Sequence, residues 1–291
     1  MAKYIAQNIS IRGYSHKLSD IECQDHSISW SGGEYVAAIV CDGHGGAKYI
    51  RSSVGSRTAC CVGKKLISEF MRGLRSSKEL NRKFSSSVDE REKMLSQLTR
   101  AIIQEWNKCV LEDSKSTPLS CDSKFELLTD DERQDILNEP TKAYGSTFVA
   151  AIMREDFYII LKLGDGNVCL VRGGSNVDFA EKYSPELKDD SLQFNLTTSL
   201  CSAHADVDFR YAFRTFDPRE LHGIVLTSDG VINSYTNEES FLSLIRNIYL
   251  SFSSREEENA ETELRDFLAT LSQRGSGDDL SVAILCRKRK S

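Results

Sequence analysis

Residues Tyr35 to Val40 form an unbroken apolar run that stops at Cys41-Asp42-Gly43-His44-Gly45-Gly46. A run this short, closed by glycines, reads as a buried strand that opens into a tight loop. Asp42 and the Gly43 carbonyl stand at the strand exit, where hard oxygen ligands can face a divalent cation. His44 adds a group that moves protons near neutral pH.

The same grammar recurs along the chain. Asp165 in Leu163-Gly164-Asp165-Gly166-Asn167 and Asp229 in Thr227-Ser228-Asp229-Gly230 each follow an apolar run, and Asp278 in Gly277-Asp278-Asp279-Leu280 precedes one. Asp25, in Cys23-Gln24-Asp25, comes just before another. Taken singly, an Asp-Gly pair is an ordinary turn. Several at the ends of strands in one sheet system bring carboxylates together, and such a cluster is unfavourable unless cations neutralise it. Carboxylate and carbonyl oxygens suit magnesium or manganese.

Between these points the pattern alternates between strand and helix. Strands are expected at Ile5–Gly13, His26–Trp30, Ser146–Met153, Phe157–Leu163, Val168–Val171, Phe209–Phe216, Gly223–Thr227 and Leu280–Leu285. The spacing of Ile50, Val54, Thr58, Val62, Leu66 and Phe70 predicts a helix from Ala47 onward. A serine-rich polar stretch, Ser76–Ser87, separates it from a second helix with Met94, Leu95, Leu98, Ile102, Trp106 and Val110 on one face. Shorter helices are expected at Asp130–Leu137, Glu238–Tyr249 and Glu256–Leu271, and Gly173–Asn195 reads as loop with short strands. At 291 residues, 40% hydrophobic and 27% charged, the chain suits one mixed α/β domain with strands around two helical blocks.

A net charge of −6 argues against a nucleic-acid surface. The basic tail Arg287–Lys290 reads as a solvated end. Nine cysteines with no C-x-x-C pair read as reduced thiols. No apolar run is long enough to span a bilayer and no leader precedes the first strand, so a soluble cytoplasmic protein with no membrane contact is expected.

The ordered set D-G-H-G-G, G-S-T-F-V-A-A-I, L-G-D-G-N-V, L-T-S-D-G-V and G-S-G-D-D-L-S-V-A-I resembles the PPM-type (2C-type) metal-dependent Ser/Thr protein phosphatases, in a divergent bacterial-like branch. The resemblance runs from about Ile9 to Cys286. It implies an α+β fold, two packed and mainly antiparallel β-sheets flanked by helices, in a single catalytic domain over 1–291. A helical and polar insert would fall at about 72–142 and a variable region at about 173–207.

The resemblance also assigns roles. Asp42 matches the carboxylate that bridges two Mn²⁺ or Mg²⁺ ions, and the Gly43 carbonyl a ligand of one of them. Asp229 and Asp278 match further ligands, Asp25 one that binds through water, and Asp165 a ligand of a weaker third ion. His44 matches the general acid. The implied reaction is attack of a metal-activated water on phosphoserine or phosphothreonine, without a phosphoenzyme. Partners would be phosphorylated Ser/Thr proteins and a cognate Ser/Thr kinase or its targets.

Three departures stand out. Gln24 replaces a common glutamate, and Gly166-Asn167 replace the Ser-Arg of the family's G-D-S-R. An expected phosphate-binding arginine is missing before Asp25, leaving Arg12, His16 or Lys17 as candidates. Two other readings remain open: a phosphoprotein-binding pseudophosphatase, and a phosphatase of a small phosphomonoester.

Overall fold

The computed structural model describes residues 4–173, 178–183, 198–217, 219–254 and 256–288. Its strands are β1 (Tyr4–Ile11), β2 (His26–Ser31), β3 (Tyr35–Cys41), β4 (Phe148–Arg154), β5 (Phe157–Leu163), β6 (Asn167–Arg172), β7 (Phe179–Tyr183), β8 (Arg210–Thr215), β9 (Leu221–Thr227) and β10 (Leu280–Arg287). The helices are α1 (Tyr14–Leu18), α2 (Ser52–Ser76), α3 (Lys78–Ser86), α4 (Val88–Ser116), α5 (Asp130–Asn138), α6 (Ala205–Asp208), α7 (Asp229–Asn233), α8 (Glu238–Ser254) and α9 (Glu257–Arg274).

The strands make two antiparallel five-stranded sheets, β1-β10-β9-β6-β7 and β2-β3-β4-β5-β8. Alternation along each strand builds three apolar layers. In β3, Val36, Ala38 and Val40 face the opposite sheet and meet Ile224, Leu226, Ala283 and Leu285. Ala37, Ile39 and Cys41 face the other way, toward α2 and α4. On the far side, Val225, Val282 and Ile284 pack under Phe241, Ile245 and Leu268 of α8 and α9. Two sheets flanked by helices are the expected α+β architecture, and burial on both faces explains why β3 reads as an unbroken apolar run.

Two local readings of the sequence shift. Ser76–Ser87 is not an extended polar connection but contains α3, whose first turn is capped by the Ser77 side chain, which accepts the Leu80 N–H. Ser87 caps α4 in the same way; the serines mark helix starts. The buried face of α2 is rotated from the large apolar residues toward Gly55, Ser56, Ala59, Cys60 and Gly63. A Cβ at Gly63 would stand 2.6 Å from the Phe148 ring and 2.7 Å from Ile39, so this face is small because the helix lies hard against the sheet. At Gly173–Asn195, expected as loop with short strands, β7 is such a strand; the parts at 174–177 and 184–195, and residues 289–291 of the tail, lie outside the described residues.

Register, more than composition, positions the candidate site. His26 pairs with Cys41, which puts Asp25 and Asp42 at the same end of their sheet, and Phe148 pairs with Leu163, which brings Asp165 to that end. In the other sheet Thr227 pairs with Val282 and Ile11 with Leu280, so Asp229, Asp278 and the turn after β1 gather at the corresponding end.

Candidate active site

The loop after β3 is held by main-chain contacts. The Asp42 N–H donates to Thr147 Oγ1 at 2.9 Å, and the Thr147 N–H returns a bond to the Asp42 carbonyl at 2.8 Å. The next turn is fixed by the His44 N–H on the Gly145 carbonyl at 3.1 Å. Gly43 is pressed against main chain on two sides: a Cβ there would lie 2.6 Å from the Gln24 carbonyl oxygen and 2.8 Å from that of Ser52. The His44 ring meets Tyr49 edge-on at 4.8 Å.

Four of the expected acids sense one another. Burial raises the Asp42 carboxyl well above its ordinary value, and the charges of Asp25, Asp229 and Asp278 add to the effect. Asp25, 5% exposed, is pushed up to about 8 by burial and by Asp279, against the hydroxyls of Ser228 and Ser281, which favour its ionised form. Its Oδ2 is buried with no hydrogen-bond partner. Asp278 is raised by burial and by the charges of Asp229 and Asp279, although the Asp279 N–H bonds its Oδ1 at 2.8 Å. Asp229 accepts a bond from the Asn233 amide at 2.9 Å. Asp165 is exposed at the rim, and its charge acts on His44.

This donor set fits a hard divalent cation: carboxylate oxygens, the Gly43 carbonyl, and a buried Asp25 oxygen whose lone pairs have no hydrogen-bond partner. Among the described residues no three His, Cys, Asp or Glu side chains close on one point.

His44 is pulled down by burial, partly offset by the charges of Asp165 and Asp229. The basic candidates divide. Arg12 turns back on its own loop, donating to the carbonyls of Ile21 and His16 and to Asp20. Lys17 is exposed on α1. His16 stands at the site: its Nδ1 is 3.0 Å from Asp279 Oδ1, and that carboxylate holds the imidazole above its ordinary pKa.

Asp279 is the residue that sequence reading passed over. It is 2% exposed, and its oxygens accept the N–H groups of Gly13 at 2.5 Å and Gln24 at 2.6 Å. Burial pushes its carboxyl up, but His16 and the two N–H groups outweigh this and hold it below the ordinary value. The available signal was the Asp278-Asp279 pair itself: next to a strand, successive side chains point to opposite sides.

The family model of protein phosphatase 2C matches residues 12–269. The chain belongs to the protein phosphatase 2C family. Solved structures agree in fold. PppA of Pseudomonas aeruginosa, described as a key regulatory component of T6SS, superposes with a TM-score of 0.57 at 16% identity over 99% of each chain. The serine/threonine phosphatase Stp1 of Staphylococcus aureus gives 0.55 at 16% identity, covering 100% of this chain and 96% of its own. The serine/threonine phosphatase of S. agalactiae gives 0.53 at 16% identity, over 98% and 100%. At these identities the likeness carries the fold alone. No curated protein matches the chain. Among the described residues of this protein phosphatase 2C chain, all nine cysteines are free and no helix is long and apolar enough to cross a membrane.

Proposed function

We propose that this chain is a metal-dependent protein Ser/Thr phosphatase, hydrolysing phosphoserine and phosphothreonine in protein substrates. The observation that carries the reading is the convergence of Asp25, Asp42, Asp229 and Asp278 at one end of both sheets, each of Asp25, Asp42 and Asp278 raised by burial and by the charges of its neighbours, with Asp25 Oδ2 left unpartnered. Such a cluster of acids needs positive charge to ionise fully. Asp42, Asp229, Asp278 and the Gly43 carbonyl would hold two Mn²⁺ or Mg²⁺ ions, Asp25 would contribute through water, and Asp165 would serve a weaker third. When bound, the ions supply an acidified water and neutralise charge on the phosphoryl oxygens.

The remaining work falls to this chain's own groups. Thr147 and Gly145 hold the Asp42–His44 backbone, so the carboxylate and the imidazole keep one geometry. Protonated His44 would give its proton to the departing serine or threonine oxygen. Burial favours the neutral imidazole, so the charges of Asp165 and Asp229 are what keep the acid form accessible. His16, now paired with Asp279, would be the basic candidate for a phosphoryl oxygen if it left that carboxylate.

The test is turnover of a phosphothreonine peptide by purified protein in Mn²⁺ and in EDTA, beside Asp229→Asn. Turnover that needs the cation and is lost in the variant supports the reading. No turnover by folded, Mn²⁺-supplied protein overturns it.

A further inference from the structure

The far end of the sandwich holds a recess that the candidate active site does not use. It lies at the tip of the β2–β3 hairpin, with the last turns of α2 closing its other side, and has a volume of about 220 Å³. β3 is seven residues long and runs from this recess to Asp42, which places the two sites about 20 Å apart at ~3.3 Å per residue.

The recess combines flat rings with unneutralised positive charge. Trp30 and Tyr35 line it, and the indole N–H donates to the Tyr35 hydroxyl at 3.3 Å, which fixes both rings. Three arginines reach it, Arg72, Arg75 and Arg154, against one acid, Glu34. Arg154 is already occupied, forked onto Asp156 at 2.6 and 2.7 Å. Arg72 and Arg75 are exposed, and among the described residues neither is paired with an acid. Arg75 lies in the last turn of α2 and complements the helix dipole there; Arg72, nearly a turn earlier, gains less from it. Lys64, 6.0 Å from the Trp30 ring, adds to the positive potential. In a chain of net charge −6, free cations concentrated beside an indole form a local exception.

Two guanidinium groups three residues apart on one helix face can grip the oxygens of a phosphate, and an adjacent indole offers a stacking surface for a planar group. The volume is small against the ~300–1,000 Å³ of pockets for drug-sized ligands, which favours a compact ligand. We propose that this recess binds a phosphate monoester carried on a planar aromatic group, with the phosphate on Arg72 and Arg75 and the ring against Trp30. A free nucleoside monophosphate and a phosphotyrosine both present that chemistry. The site is independent of the phosphatase reading and stands or falls without it.

The test is calorimetric titration of the full chain in EDTA, which prevents both turnover and cation bridging, with adenosine monophosphate, phosphotyrosine and inorganic phosphate in separate arms. Trp30 emission gives a second readout, because the only other tryptophan, Trp106, is fully buried with its N–H on the Gly55 carbonyl. The expected result is saturable binding of an aromatic monoester with a change in Trp30 emission, weakened more than about tenfold in Arg72→Glu/Arg75→Glu. The milder Arg72→Gln/Arg75→Gln should weaken it in the same direction. Both side chains are exposed, so circular dichroism should be unchanged. Whichever aromatic arm binds identifies the source. No binding of either aromatic compound, binding no tighter than that of inorganic phosphate, or binding that survives charge reversal would each overturn the proposal.

Discussion

The carboxylate of Asp279 accepts the main-chain N–H of Gln24 at 2.6 Å, so the approach to β2 in one sheet is held from the start of β10 in the other. The same carboxylate holds Gly13 at 2.5 Å and pairs with His16 at 3.0 Å. One buried acid thereby links the turn after β1, the entry to β2 and the start of β10. Its lowered pKa shows that these partners outweigh the penalty of burying it.

Asp279→Asn should therefore damage the fold of the site before its chemistry. An amide cannot present two acceptor oxygens, so one buried N–H, of Gly13 or Gln24, meets an NH₂ group. An orphaned buried donor costs about 1–3 kcal/mol. Urea denaturation should show a loss of that order with an unchanged slope. A variant as stable as the parent would show that the Asp279 contacts are not what holds the two sheets' ends together.

The raised carboxyls predict an unusual pH dependence for the metal-free protein. Asp25 has an ordinary value of 3.8 and is pushed up to about 8, and Asp42 moves in the same direction. A folded-state pKa above the unfolded one means that the folded protein binds more protons between the two values. Stability from these groups is then fully present below about pH 4 and is lost as the pH rises toward about 8. In EDTA the melting temperature should fall across this interval, and Mn²⁺ should restore it most strongly at the alkaline end. A melting temperature in EDTA that rises steadily over the same range would contradict the clustering of these acids.

Much of this site is legible in the sequence because its acids sit where periodicity changes. Asp42, Asp165 and Asp229 each close an apolar run beside a glycine, and both the strand and its exit can be read from a few adjacent residues. Asp279 was harder because its partners are main-chain N–H groups more than 250 residues away, which no local pattern records. The rotated face of α2 was hidden for a different reason. Close helix–sheet contact selects glycine, serine and alanine, residues that a hydropathy reading ranks below the larger apolar residues at the margin of that face. Two of the three groups that occupy Arg12, the carbonyls of Ile21 and His16, carry no side-chain signal.

On the proposed reading, His44→Asn should separate leaving-group protonation from the rest of the reaction. A serine or threonine alkoxide is a poor leaving group and needs a proton, whereas a nitrophenolate leaves without one. Loss of the imidazole should lower turnover of a phosphothreonine peptide by about 10²–10⁴ and turnover of p-nitrophenyl phosphate far less. Equal losses on both substrates would assign His44 to holding the loop, where its ring packs on Tyr49.

Two glycines of one loop should respond very differently to the same methyl group. A Cβ at Gly43 would fall 2.6 Å from the Gln24 carbonyl oxygen and 2.8 Å from that of Ser52, and main chain on both sides leaves nothing flexible to yield. The loop must move, and with it the Gly43 carbonyl and Asp42. A displacement of about 1 Å in a catalytic constellation can lower activity by on the order of 10²-fold. At Gly45 the nearest atom to a new Cβ is the end of the Gln24 side chain at 3.7 Å, an ordinary contact. Gly43→Ala should therefore lose Mn²⁺-dependent peptide turnover and shift its cation titration to higher concentration, while Gly45→Ala keeps both near the parent. Far-ultraviolet circular dichroism should match for all three proteins, since neither glycine lies in a strand or helix. If the two variants behaved alike, the close approach of Gly43 to Gln24 and Ser52 would not be what sets the position of Asp42.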